Sequence, residues 1–487
     1  MASGNQVGSR FAPAVVLALS LLVAGLPAAC AGGEDRTHGS GRILVIGVDG
    51  LEWEILLPLL RRGELPHLAG LMEEGVAGYL ETLDPTLSPV IWTSIATGKP
   101  PAEHGIRNFT YHDDTGKERL FTSRDRRVKA LWNILTDTRR TVNVIGWWNT
   151  WPAERVHGVM VSQFSSLEQG KKVWKGTVHE DWPAQTWPGP VYEEILPLVR
   201  QVNAEYPVDL EPGVDELPPA VAELIPFLPP QATSFERRLA GDSLWAFRAD
   251  ETYARIARTM LAERPADLTL VYLGSPDVVG HRFFRHFRPE EYRHPPRDEA
   301  VAAFGDVIPA TYRFFDRIVG ELVTAAGPET AVIVLSDHGM APVNTGKDFE
   351  WAFENAEERY RLAAVNSGHH LRAEPGVLIA AGPSIRRSGE GRFWEDPAFT
   401  LDRLPELGSI FDVAPTLLYL LDLAVGADMV GLVITDLVDE PILRAREIAY
   451  TPTYETVEGS PGEEATEPFE GVDEERLRQL KSLGYID

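Results

Sequence analysis

The chain has 487 residues, 44% of them hydrophobic and 24% charged, a balance that excludes wholesale disorder and leaves room for a large buried core. Its formal charge of -26, from 72 Asp and Glu against 46 Lys and Arg, argues against a nucleic-acid-polymer binder, which holds phosphate backbones through clustered cations. A single cysteine, Cys30, excludes an internal disulfide and any cysteine-cluster metal site.

Arg10 precedes an uncharged, mostly apolar stretch over 11–27, and small residues follow at Ala28, Ala29 and Ala31. This is the pattern of a secretory signal over 1–31, and it predicts a protein exported to the periplasm or cell envelope. The ending Leu-Pro-Ala-Ala-Cys resembles the lipobox of bacterial lipoproteins, with Cys30 as the lipidated residue anchoring the chain to a membrane. Pro27 departs from the usual Leu of that box. Cleavage after Ala31 and an uncleaved membrane anchor are the alternatives. Residues 32–41 read as a flexible linker.

From residue 42 the chain alternates strand-like and helix-like segments, the signature of an α/β protein with a mostly parallel central sheet. Residues 43–49 (ILVIGVD) read as a buried strand ending in Asp49, and 51–62 and 66–74 as helices. In the segment 85–106, Ser88 and Pro89 precede a helical run over 90–96, so Ser88 is expected as N-cap and Pro89 at the first helical position. A hydroxyl at a helix N-terminus also suits phosphate chemistry, because free N–H groups and the positive end of the dipole lie beside it.

A helix is expected over 128–136 and a strand over 141–147. The Pro-rich, Trp-rich and acidic stretch 165–230 breaks the alternation and reads as a cap insertion near the active-site mouth. Helices over 235–263 and 299–326 bracket a second acid-ended strand, 268–277 (LTLVYLGSPD). A third, 331–337 (AVIVLSD), ends in Asp337 and is followed by His338. Residues 376–381 complete the strands, and 412–421 form a late helix with Asp412 as N-cap. The chain closes, over 451–487, in an acidic tail and a short helix over 474–483.

An ionised carboxylate at the end of a buried strand needs a partner or a metal. The three acids Asp49, Asp277 and Asp337 come with His281, His338 and the pair His369–His370, which is an inventory of metal ligands. A metal beside Ser88 would lower the hydroxyl's pKa and make it a nucleophile at neutral pH. His67, His112, His157, His179, His286 and His294 lack such context and read as surface or packing residues.

In order and spacing, VIGVDGL, SPVIWTSIATG, HGI, SPDVVGH, SDHGM, GHH and DVAPTLL resemble the alkaline phosphatase superfamily and, within it, the type I phosphodiesterase and nucleotide pyrophosphatase group. The resemblance implies a three-layer alkaline-phosphatase-like fold over 42–450 and two divalent metal ions. Zinc is the expected metal and manganese the alternative. One ion would be held by Asp49, Ser88, Asp337 and His338, the other by Asp277, His281 and His370. Ser88 would attack phosphorus and form a phosphoseryl intermediate. His369 falls outside the implied ligand set.

Two departures narrow the substrate. Trp92 stands four residues after Ser88, where a sulfatase needs Arg. Ile91 stands three residues after it, where nucleotide pyrophosphatases commonly carry Asn. Asn108, Asn149 and Thr150 are candidate replacement donors, or loop residues bonding the local backbone. Trp147, Trp148 and Trp151 are candidates for stacking on a substrate, or for core packing. The expected function is hydrolysis of a small phosphodiester or phosphoanhydride. The alternatives are a phosphomonoesterase or phosphotransferase on the same scaffold, and a non-catalytic surface-binding protein that kept the fold.

Overall fold

A strand that is apolar at every position has to be covered on both faces. Residues 43–48 meet that condition in the computed structural model, which describes residues 41–163, 183–207, 219–225, 239–241, 243–292, 295–342, 367–370, 374–389 and 391–455. The expected leader over 1–31 with Cys30, all but the last residue of the expected linker over 32–41, much of the 165–230 stretch and the chain beyond 455 lie outside the described residues.

In chain order the framing elements begin with β1 (Arg42–Val48), α1 (Trp53–Arg61), α2 (Pro66–Glu74), β2 (Val76–Glu81), α3 (Ser88–Thr97), α4 (Leu131–Asp137), β3 (Val142–Ile145), β4 (Gly158–Val161) and β5 (Thr186–Trp187). They continue with α5 (Val191–Glu205), α6 (Leu244–Glu263), β6 (Leu268–Leu273), α7 (Ser275–Phe287), α8 (Asp298–Phe304) and α9 (Val307–Ala326). The last are β7 (Thr330–Leu335), β8 (Gly376–Ala381), β9 (Glu406–Ser409) and α10 (Val413–Leu420).

The strands form one nine-stranded sheet in the order β9-β2-β8-β7-β1-β6-β3-β4-β5. β1 lies at its centre and pairs in parallel with both β7 and β6, setting Gly47 opposite Leu335 on one side and Tyr272 on the other. The β6–β3, β3–β4 and β9–β2 pairs are also parallel. β8 runs antiparallel between β2 and β7, as does β5 against β4.

Successive side chains of β1 enter two cores. Leu44, Ile46 and Val48 pack with α1, α2, α5, α6, α7 and α9, whereas Ile43 and Val45 pack with α3, α4 and α10. The result is a three-layer α/β arrangement with a mostly parallel central sheet, as the resemblance implies. Burial of each such Leu or Ile contributes about 1.5–3 kcal/mol, so the sheet is held by many residues rather than by any one.

Several elements differ from the expectation. The strand expected over 268–277 ends at Leu273, and Asp277 lies in the first turn of α7, because Gly274 and Pro276 open a helix there. The helix expected over 299–326 is two helices, α8 and α9, separated at Gly305. Pro309 lacks the N–H that a continuous helix would need and fits only in the first turn of a new one. Asp412 sits at the N-cap position of α10 but makes no cap bond there; its carboxylate accepts from Ser409 N at 2.7 Å and Leu432 N at 2.6 Å instead. Within 165–230, β5 extends the sheet beside β4 and α5 packs on α6.

Candidate active site

Parallel neighbours end on the same edge of a sheet, so β1, β6 and β7 deliver their following residues to one place. Asp49 follows Val48 directly, Asp337 stands two residues beyond β7, and Asp277 enters from the first turn of α7. All three acids are buried. Gly50 permits this convergence: its φ is +70°, and a Cβ there would lie 2.8 Å from Asp277 Cα. The loops after β1 and β7 are stitched together by Ser336, whose Oγ accepts from Leu51 N at 2.9 Å and donates to His338 O at 2.7 Å. Glu52 adds a second brace, accepting from Glu54 N at 2.9 Å and Met340 N at 3.0 Å, and burial pushes its carboxyl up to about 7.

Ser88 is the first residue of α3 rather than its cap, a position Leu87 occupies. Its side chain therefore serves no cap bond and stands 3.5 Å from both Asp49 Oδ1 and His338 Nε2. On α7, Asp277 and His281 lie one turn apart on the same face, with His281 Nε2 3.3 Å from Asp277 Oδ1. The short strand Gly368–His369 pairs with Ala341–Pro342, just beyond His338, and so brings His370 into the site. The rings of His338 and His370 stack with centroids 3.9 Å apart, and His370 Nε2 is 3.9 Å from Asp277 Oδ1. All seven expected site residues are thus brought together and buried. His369 is not among the groups whose donor atoms converge in the described residues.

The charges strain against one another. Burial, then the charge of Asp49, pushes the Asp337 carboxyl well above the usual range. Burial disfavours the charged form of His338, but Asp337 and Asp49 outweigh it and carry the imidazole up to about 10. His281 is raised in the same way by Asp277, and Asp277, despite its burial, is held below the usual range by His281, His370 and His338. His370 is driven well below its ordinary value by burial and then by His338 and His281.

The hydrogen bonds fix the imidazoles. Backbone carbonyls only accept, so Nδ1 of His338 donates to Gly339 O at 2.9 Å and Nδ1 of His281 donates to Gly368 O at 2.8 Å. Their Nε2 atoms then face carboxylate oxygens, His338 at 3.2 Å from Asp49 Oδ1 and 3.3 Å from Asp337 Oδ2. Without a cation, Nε2 of His338 keeps its proton at neutral pH and shares it with Asp49 Oδ1, and a divalent cation there would take that proton's place. Asp337 Oδ2 receives no hydrogen bond among the described residues. The donor atoms of Asp277, His338 and His370, and those of Asp49, Asp337 and His338, each lie within 4.8 Å of one another. Carboxylate oxygens and correctly oriented imidazoles fit a divalent cation, and the second nitrogen's bond to a carbonyl is the usual support for such a ligand.

Some neighbours lie beyond the reach of the sequence patterns. Asp49 Oδ2 accepts from Tyr272 OH at 2.6 Å and Trp92 Nε1 at 3.3 Å. Asp250, buried on α6, accepts from Gly274 N at 2.8 Å and Ser275 N at 2.9 Å and so caps α7 from outside. Trp92 could have been found from its spacing, four residues after Ser88 on one helix face. Nothing in the sequence marks Asp250.

The candidate replacement donors are otherwise engaged. Asn149 Nδ2 donates to Pro89 O and Thr93 Oγ1, each at 3.0 Å, Thr150 Oγ1 donates to Trp147 O at 2.6 Å, and Asn108 Oδ1 accepts from Phe109 N at 2.7 Å. Trp147 and Trp151 are core residues, while Trp148 is half-buried against Phe109 and Tyr272. His67, His112 and His157 are exposed, His286 packs on Phe283 and Phe304, and His179 and His294 lie outside the described residues.

Residues 43–396 match the model of the family described as type I phosphodiesterase / nucleotide pyrophosphatase. No curated protein matches the chain at a significant level. Among solved structures, a phosphonoacetate hydrolase from Sinorhizobium meliloti 1021 in complex with phosphonoformate is 19% identical over 62% of this chain and 57% of that chain, with a TM-score of 0.35. An inactive form of murine ectonucleotide pyrophosphatase / phosphodiesterase 5 in complex with AMP is 15% identical over 79% of this chain and 96% of that chain, with a TM-score of 0.40. A mutant of the alkaline phosphatase PafA is 15% identical over 82% of this chain and 99% of that chain, with a TM-score of 0.47.

Proposed function

Because the chain belongs to the type I phosphodiesterase / nucleotide pyrophosphatase family and is a phosphoric ester hydrolase, we propose that it cleaves phosphodiester or phosphoanhydride bonds through a phosphoseryl intermediate on Ser88. The observation that carries this reading is the placement of a buried serine hydroxyl at the positive end of α3, 3.5 Å from Asp49 and from His338. Ser88 Oγ attacks phosphorus, the P–O bond to the leaving group breaks, and water then cleaves the seryl ester to restore the hydroxyl.

Two divalent cations, zinc or alternatively manganese, would be held by Asp49, Ser88, Asp337 and His338 and by Asp277, His281 and His370, where they would offset the carboxylates, acidify Ser88 and screen the phosphate. His338 and His281, each fixed by its Nδ1 bond to a carbonyl, present Nε2 to the site without rearrangement. Ile91 is apolar and Asn149 is committed to Pro89 and Thr93, so neither supports a nucleotide-specific phosphate contact. The leader pattern over 1–31 supports export, with Cys30 lipidation or cleavage after Ala31 distinguished by the mass of the mature N-terminus.

The test is turnover of bis-p-nitrophenyl phosphate against p-nitrophenyl phosphate, with mass analysis of the acid-quenched Ser88 peptide. Faster diester cleavage and a phosphorylated Ser88 are expected. Much faster monoester cleavage would move the assignment to a phosphomonoesterase, and a Ser88→Ala protein as active as wild type would remove the proposed chemistry.

A further inference from the structure

The two oxygens of Asp49 live in different surroundings. Oδ1 faces Ser88 Oγ at 3.5 Å and His338 Nε2 at 3.2 Å, whereas Oδ2 takes both the Tyr272 hydroxyl and the Trp92 indole N–H. Tyr272 comes from β6, the strand bonded to β1, and Trp92 from the same helix face as Ser88. An Asp carboxylate rotates readily about its last bond, and two donors on one oxygen stop that rotation.

The donors are themselves fixed. Trp92 meets Tyr272 edge-on at 5.4 Å and Trp147 edge-on at 4.9 Å, and Trp147 Nε1 donates to Trp92 O at 3.2 Å. Gly47, opposite Tyr272 in the sheet, supplies the floor: a Cβ there would lie 2.6 Å from Trp92 Cζ3 and 3.1 Å from Trp147 Cζ3.

We propose that Tyr272 and Trp92 are positioning residues that reserve Asp49 Oδ1 for the cation beside Ser88 and, through Trp92 on α3, set the spacing between that ligand and the nucleophile. The inference rests on the reading of Asp49 as a metal ligand. It assigns to two residues a function beyond packing: they make Asp49 a one-oxygen ligand whose free edge points at the nucleophile. Loss of an outer hydrogen-bond partner of a metal ligand typically lowers metal affinity about 10- to 100-fold.

Tyr272→Phe keeps the ring and removes only the donor. Zinc titration of the full-length, metal-stripped protein in competition with a chelator, with cobalt(II) spectra of the same samples, reads the two sites separately from turnover. Tyr272→Phe is expected to weaken one equivalent about 10- to 100-fold, leave the other within about twofold, and alter the cobalt(II) spectrum of the weakened site alone. Asp49→Asn serves as the reference and is expected to lose that same equivalent. If Asp49→Asn loses it while Tyr272→Phe binds both like wild type with an unchanged spectrum, the positioning role is overturned and the ligand assignment stands. If Asp49→Asn itself binds both equivalents normally, the ligand assignment fails and the inference with it. A metal-free Tyr272→Phe protein that unfolds far below metal-free wild type would place the residue's role in the fold and also overturn the proposal. Trp92→Phe, which removes the other donor, is expected to weaken the same equivalent and no other.

Discussion

The two halves of the site are built from different material. Asp49 and Asp337 follow adjacent parallel strands whose spacing is set by backbone pairing along their whole length. Asp277 and His281 ride on the first turns of a helix, and His370 arrives directly after a two-residue strand. A strand-borne ligand moves only if the sheet moves. A helix-borne ligand depends on what holds the helix start, here Asp250, and on the bond from His281 to Gly368. The strand-borne half is therefore expected to keep its backbone spacing when its surroundings change, leaving only side-chain orientation to its neighbours, and the helix-borne half to register changes at the helix start.

The largest test of that difference removes one acid from each half. Asp337→Ala is expected to abolish the metal beside Ser88 and lower turnover by at least about a thousandfold, whereas Asp277→Ala is expected to retain that metal and lose the other. Metal content by mass spectrometry decides it, and loss of neither metal in either variant would sink the ligand assignment. Stripping both metals with a chelator should lower stability by about 4 kcal/mol per site, about 8 kcal/mol in all, relative to protein held at about a thousand times each dissociation constant. Differential scanning calorimetry reads this as a melting temperature that climbs with free metal.

A smaller effect probes the helix-borne half alone. Burial pushes the Asp250 carboxyl up from 3.8 to about 7. The folded state then binds this proton more tightly than the unfolded state, so its contribution is fully present below about pH 3.8 and is lost as pH rises to about 7. Asp250→Asn cannot ionise, and one of its two amide-end contacts with Gly274 N and Ser275 N is lost, at a cost of about 1–3 kcal/mol. Denaturant unfolding should show wild type ahead of Asp250→Asn by more at pH 5 than at pH 8. The smallest effect belongs outside both halves: Asn108→Ala, exposed and bonded to its neighbour's N–H, should change stability by no more than about 0.5 kcal/mol and leave phosphodiester turnover unaltered.

The same contrast separates what can be read from the sequence. β1 and β7 declare themselves, since an unbroken apolar run that stops at an Asp matches a parallel strand covered on both faces and polar only at its end. The run 268–277 reads as extended because Gly274-Ser275-Pro276 is too short to show a period of its own between the apolar stretch and Asp277, yet it starts a helix. Asp277 reaches the site regardless, because either geometry begins at the end of β6.

β4 and β9 have four residues each, too few to announce a pattern, β2 alternates in burial but not in its composition (VAGYLE), and the reversed direction of β8 leaves no trace in its sequence. Ser88 shifts by one place, from cap to first helical residue, a distinction below the resolution of capping preferences. Tyr272, Glu52 and Asp250 are invisible as site residues in the sequence because the partner of a buried polar group is chosen by tertiary contact, not by its neighbours in the chain; Trp92 alone carries a signal, its spacing from Ser88.

Gly50 joins the two halves through what it lacks. With a left-handed φ and Asp277 Cα 2.8 Å from where its Cβ would be, it is a spacer of zero thickness between the Ser88 side and the Asp277 side. A methyl group there would act as a shim, prising the halves apart by a few tenths of an ångström or more while leaving every ligand chemically intact. In a library of all replacements at position 50 selected for phosphodiester turnover, glycine alone should survive, even though residue 50 offers the site only its backbone N–H, which any replacement but proline would keep.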